Sequence, residues 1–195
     1  VEALDKKIKR DFLLLALFTG LRRKNVKQMR WKHIYFENKY VEIPETKSGH
    51  PFALPLTDTA IRILKRRKAD KDTAIQFEGS PYVFPGQGKS GHIEEPWAQV
   101  SVDYQIHDLR RVFSSAAHAA KQPQYLIRLL LNHTEPGTGP TVTDTYYFSN
   151  VEHLREPMEA VNAQLLELCG AKKPKKRSNV TSMNRVKVKK RRAQA

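Results

Sequence analysis

The 195-residue chain carries 35 Lys and Arg against 20 Asp and Glu, a formal net charge of +15, and 39% of its residues are apolar. That length and apolar share suit one folded domain with a real core, and no apolar run approaches the roughly 20 residues that span a bilayer. Cys169 is the single cysteine, which rules out an internal disulfide and a cysteine-based zinc site and suits a reducing cytosol.

In chain order, Leu4 to Phe18 reads as a helix that stops at Thr19-Gly20, glycine being a natural helix end. A second helix is expected over Lys24 to Trp31. Tyr40–Pro44 and Pro51–Pro55 alternate around the turn Lys47-Ser48-Gly49-His50, the pattern of a β-hairpin. Thr57 offers an N-cap to a helix over Thr59 to Arg67, with Ile61 and Leu64 at helical spacing. Asp72 to Ser101 is broken up by Gly and Pro and holds one extended piece, Tyr82-Val83-Phe84. Helices follow over Ile106–Lys121 and Gln124–Leu131, then a Gly/Pro loop, Glu135–Pro140, and a short helical turn over Val142–Phe148. Val151–Leu168 is a final helix ending at Gly170. The class is α+β, mostly α-helical with a small antiparallel sheet.

The last stretch, 171–195, holds 11 Lys or Arg and no acidic residue, so positions 1–170 retain 24 basic and 20 acidic residues and a net charge of only +4. A disordered, solvated tail explains that composition; so does a flexible arm that contacts phosphates with salt-sensitive affinity. The expected division is a catalytic domain over 1–170 and a basic tail over 171–195.

The sequence contains no Gly-rich phosphate loop, no Ser or Cys nucleophile motif and no carboxylate cluster able to hold magnesium, so neither metal nor cofactor is expected. It does contain dispersed cationic and proton-transferring residues beside turns and helix ends. Arg22 follows the Thr19-Gly20 stop, Lys47 sits at the hairpin tip, and His107 and Arg110 lie three apart on one face of a helix start. His133 follows Leu130-Leu131-Asn132, and Tyr146 and Tyr147 follow thirteen and fourteen residues later. Each has a bland explanation when taken singly. Arg22 or Arg23 suits a solvated charge after a helix, and Lys47 a polar turn. His107 suits a helix N-terminus, His133 a helix C-terminal dipole, and Tyr146 an amphipathic core position.

Taken together and in this order, they resemble the tyrosine recombinase (phage integrase) family over nearly all of positions 1–150. Thr19-Gly20-Leu21-Arg22 through Met29-Arg30-Trp31 is similar to its first box, and Thr46-Lys47-Ser48-Gly49 to its lysine hairpin. His107-Asp108-Leu109-Arg110-Arg111 is similar to the H-x-x-R box. Leu130-Leu131-Asn132-His133 and Val142-Thr143-Asp144-Thr145-Tyr146 resemble the segments bearing the second histidine and the nucleophile. The resemblance implies an integrase-type catalytic domain that cuts and rejoins double-stranded DNA without metal, through a 3′-phosphotyrosine on Tyr146. Arg22 and Arg110 would clamp the nonbridging oxygens, Lys47 would act as general acid, His107 would assist proton transfer and His133 would hydrogen-bond the phosphate.

The chain departs from the family in two places. Three residues after Arg22, where the family usually has Glu or Asp, it has Asn25, which cannot neutralise a buried arginine. The His133-to-Tyr146 spacing is lengthened by the Glu135–Pro140 insertion, which leaves Tyr147 as the alternative nucleophile. Family members also carry an upstream core-binding domain, so a catalytic-domain fragment with weaker, less specific DNA binding is expected. Val151–Leu168 is similar to a terminal helix that docks on a neighbouring protomer, or else it packs on its own body. The implied partners are double-stranded DNA and further copies of the chain: a tetramer on DNA, a monomer without it, acting in the bacterial cytoplasm. Competing readings are a DNA-binding module that has lost cutting, and a relaxing topoisomerase using the same chemistry.

Overall fold

The computed structural model describes residues 2–45, 51–94, 96, 105–133 and 151–170. Lys47, Tyr146, Tyr147, the Glu135–Pro140 loop, the Val142–Phe148 turn and the basic tail lie outside these residues. Helix α1 (Glu2–Thr19) is followed by a short α2 (Arg23–Lys27), a 3-10 turn over Trp31–His33, and a three-stranded antiparallel sheet in the order β1 (Ile34–Tyr35), β2 (Tyr40–Ile43), β3 (Phe52–Pro55). Then come α3 (Asp58–Lys68), α4 (Lys71–Gln76), α5 (Ile106–Ala119) and α6 (Gln124–Leu130), and after a 3-10 turn over Val151–Leu154, α7 (Arg155–Leu168).

The apolar spacing of the sequence explains which faces turn inward. α1 buries Phe12 and Leu15 completely, α5 buries Phe113, Ala116 and Ala117, and α7 buries Met158, Val161 and Leu165. α5 is the hub, touching α1, α6 and α7, while α1 also packs on α3. The sheet alternates as a half-buried sheet should: Val41 and Ile43 point in, and the register pairs Val41 with Leu54 and Ile43 with Phe52. Thr57 caps α3 as expected, accepting from the Ala60 N–H at 3.4 Å. It also meets Asn162 of α7 at 3.2 Å. With Arg155 donating to the Asn38 carbonyl at 3.0 Å, the final helix is fastened to its own body.

Several elements differ from the sequence expectation, among them β1, which was not expected, and the first turn of Val151–Leu168, which is 3-10. The helix expected over Lys24–Trp31 ends at Lys27. Beyond it the backbone pairs with a distant segment: Trp31 N–H donates to the Pro81 carbonyl at 3.0 Å and Val83 N–H to the Met29 carbonyl at 2.9 Å. Tertiary pairing there outweighs a weak local helix preference. The same pairing holds the expected extended piece at Tyr82, as an isolated bridge to Arg30. α4 forms where a Gly/Pro-punctuated stretch was expected. It is secured by Arg67, whose side chain is 1% exposed and donates to Asp70 at 2.8 Å and to Thr73 at 2.9 Å.

The contact that fixes the geometry below lies between α1 and α5. Gly20 ends α1 with φ +63°, and a Cβ there would meet Cδ1 of Phe113 at 2.6 Å. Only glycine permits both the left-handed turn and the close approach. Gly20→Ala is therefore expected to lose about 2–4 kcal/mol, from strain at positive φ plus overpacking. Urea denaturation measures this; a change below about 0.5 kcal/mol, the range of an ordinary surface substitution, contradicts the packing argument.

Candidate active site

Four of the residues singled out in sequence fall within the described structure, and they converge. Thr19, fully buried, donates through Oγ1 to the Leu15 carbonyl at 2.6 Å and steers the chain out of α1. Arg22, extended at the N-cap of α2, reaches back across the body, and its Nη2 donates to the Asn132 carbonyl at 3.1 Å. Across from it a capping box starts α5: the Gln105 N–H donates to the Asp108 carboxylate at 2.9 Å. That start places His107 in the first turn and Arg110 one turn on. Both line one groove of about 320 Å³ with Arg22, Arg23 and Lys24.

Arg110 is the buried member, 6% exposed. Its Nη1 donates to the Gly20 carbonyl and its Nη2 to the Leu131 carbonyl. Both arginines are thus held by carbonyl oxygens at the C-terminal ends of α1 and α6, where unpaired carbonyls and the helix dipole offer partial negative charge. Among the described residues neither guanidinium has a carboxylate partner. Asn25, at the position where the family usually has an acid, lines a different groove with Arg30 and Glu42. Sequence reasoning looked for a bracing side chain; the bracing comes from backbone.

The electrostatic result is an under-neutralised cationic pair. Burial, and secondarily the charge of Arg22, push the Arg110 pKa down to about 10; burial also lowers that of Arg22. Both remain charged at neutral pH. His133 joins them directly after the α6 end. Partial burial holds its imidazole below the usual 6.5, reinforced by Arg110, Arg22, Arg128 and His107. Such an environment favours an anion. A cation pair that costs desolvation and lacks a counter-charge is relieved by a bound anion, and guanidinium forks fit phosphate oxygens bidentately.

The structure therefore brings together Arg22, His107, Arg110 and His133, while Lys47, Tyr146 and Tyr147 lie outside the described residues. Sequence reasoning missed Arg23 and Lys24 as groove-lining cations, and the three carbonyls of Gly20, Leu131 and Asn132. The Gly20 stop and an Asn after the Leu-rich α6 were the available signals, since both residue types favour left-handed helix ends. Among the described residues no group of His, Cys, Asp and Glu could hold a metal ion. No described helix is long and apolar enough to cross a membrane.

Known proteins resemble this chain in sequence and in fold. The chain is 27% identical to the prophage integrase IntF of Escherichia coli (strain K12) over 141 residues, covering 68% of this chain and 30% of that protein. It is 26% identical to the integrase of Salmonella phage P22, covering 51% of this chain and 30% of that one. The chain thus spans about a third of the length of these curated relatives. The fold matches the integrase from mycobacterium phage Brujita with a TM-score of 0.52 at 22% identity, over 80% of this chain and 57% of that structure. The model of the phage integrase family matches residues 2–153, and the chain belongs to that family.

Proposed function

We propose that residues 1–170 form the catalytic domain of a site-specific DNA recombinase that cuts and rejoins double-stranded DNA through a 3′-phosphotyrosine. The observation that carries this reading is the convergence of Arg22 and Arg110 in one groove with His107, with His133 beside the pair and no carboxylate among the described partners.

In this reading the scissile phosphate supplies the counter-charge that the described residues do not. Arg22 and Arg110 bind its two nonbridging oxygens and stabilise the charge that grows there during attack. Carbonyls occupy part of each guanidinium, fixing its plane, while a guanidinium's five N–H donors leave others for the phosphate. Tyr146 Oη attacks phosphorus, forming the phosphotyrosine P–O bond as the P–O5′ bond breaks. The tyrosine proton leaves with assistance from His107, and Lys47 protonates the departing 5′ oxygen. His133, neutral near pH 7, hydrogen-bonds the phosphate. No metal is required, because the arginines supply the charge. Rejoining is the same step reversed by a 5′-hydroxyl. The protein would act on DNA in a bacterial cytoplasm as a tetramer, and exist as a monomer without DNA. The basic tail, 171–195, would add salt-sensitive phosphate contacts.

Covalent capture tests the reading. Incubated with a pool of nicked duplexes of randomised sequence and excess chelator, the wild type is expected to yield a denaturant-resistant protein–DNA adduct. Tyr146→Phe is expected to abolish it and Tyr147→Phe to retain it. The reverse pattern moves the nucleophile to Tyr147, and absence of any adduct with retained DNA binding leaves a binding module that has lost cutting.

The lowered His133 pKa gives a second expectation. The unfolded chain takes up this proton near pH 6.5, the folded chain only at lower pH. Stability from this group is therefore present above 6.5 and declines as pH falls toward the folded-state value. By NMR the His133 midpoint should lie below 6.5 and rise when inorganic phosphate is added, since a bound anion offsets the arginine charge. A midpoint at or above 6.5 without phosphate contradicts the cationic site.

A further inference from the structure

The two arginines depend on how α6 ends. Leu131 is the C-cap of α6, and Asn132 follows in the left-handed region with φ 45°. The Asn132 N–H donates to the Leu129 carbonyl at 2.9 Å, and the His133 N–H donates to the Arg128 carbonyl at 2.9 Å. Counted from the cap, these are the two bonds of a Schellman motif, with Asn132 at its left-handed position and His133 as the residue that closes it. The motif consumes the carbonyls of Arg128 and Leu129. It leaves those of Leu131 and Asn132 pointing outward, and these two accept from Arg110 and Arg22 respectively. α1 does the same with Gly20: its φ is +63°, its N–H donates to the Ala16 carbonyl at 3.0 Å, and its carbonyl accepts from Arg110. Arg110 is thus suspended between two left-handed helix ends.

We propose that Asn132 is a positioning residue. Its left-handed backbone aims two carbonyls at the arginine pair and delivers His133 beside them, so that one backbone torsion sets three of the groups meant to meet the phosphate. The inference rests on the recombinase reading for the identity of that phosphate, but not for the geometry. The side chain's contribution is permissive: asparagine tolerates positive φ far better than most residues, and a β-branched residue does not. Asn132 is 6% exposed, so the turn cannot simply swing into solvent when the torsion is disfavoured.

The test compares Asn132→Gly, Asn132→Ala and Asn132→Val with the wild type in two measurements. The first needs no DNA: NMR of the guanidinium groups of Arg22 and Arg110, with and without inorganic phosphate. Wild type and Asn132→Gly should show slowed guanidinium rotation at both arginines and equal phosphate affinity. Asn132→Val should free Arg22 and weaken phosphate binding about tenfold, a loss of about 1.4 kcal/mol, with Asn132→Ala between. The second is single-turnover cleavage of a duplex recovered by covalent capture. There Asn132→Val should cleave about 10²-fold more slowly, the scale of one lost oxyanion contact, with DNA affinity little changed, and Asn132→Gly should restore the rate.

The proposal is overturned if Asn132→Val folds and leaves both guanidiniums and the cleavage rate unchanged. It is equally overturned if Asn132→Gly fails as Asn132→Val does, because the side chain and not the torsion would then matter. Should Asn132→Val not fold, Asn132→Ala matching Asn132→Gly in both measurements overturns it. A wild type that shows the guanidinium pattern but never cleaves contradicts the recombinase reading instead, and leaves the positioning role standing.

Discussion

Two like-charged guanidiniums held partly out of water with no carboxylate among their described partners are the constraint around which this domain is organised. Such a pair is tolerated only if something electronegative and rigid holds each one, and the chain supplies carbonyl oxygens at helix ends. A flexible carboxylate would neutralise the arginines and compete with any incoming anion. A backbone carbonyl carries no net charge, so it fixes the guanidinium plane while leaving the positive charge available. Asn25 does not take part in this bracing: it lines a different groove, with Arg30 and Glu42.

The rest of the architecture serves to keep those helix ends in place. Phe113 presses on Gly20, so α1 and α5 meet at the level where the Gly20 carbonyl can reach Arg110. α6 packs on α5 and brings its C-terminal carbonyls to the other side. α7 packs on α5, and Arg155 and Asn162 tie it to the loop before β2 and to the start of α3. Farther off, Asp11 is 1% exposed and accepts from Arg66 at 2.6 Å. There a carboxylate does neutralise an arginine, and the contact serves to join α3 to α1.

Most helices and the β2–β3 pair were legible in the sequence because their burial follows local periodicity: Phe12 and Leu15 in α1, Phe113 in α5, Val41 and Ile43 in β2. Arg22, His107 and Arg110 in the groove, and His133 beside the arginine pair, were legible as well, because they stand in motifs read by type and order. What escaped was set by non-local backbone. The early end of α2 depends on Pro81 and Val83, some fifty residues away, and α4 depends on the Arg67 network. The carbonyl bracing has no side-chain signature at all; its only traces are Gly20 and Asn132, which look like ordinary helix stops until the structure shows what their carbonyls hold.

The central claim, that this arginine pair exists to bind the two nonbridging oxygens of a phosphodiester, is tested most directly by removing those oxygens one at a time. Duplexes carrying a stereopure methylphosphonate at the scissile position replace one charged oxygen with a methyl group. The account predicts that wild-type cleavage falls about 10²-fold or more for at least one stereoisomer, the cost of losing a preorganised contact to developing charge. It also predicts that Arg110→Ala, already lacking half of the clamp, loses far less on the same change. Wild-type cleavage of both stereoisomers at the unmodified rate would contradict it.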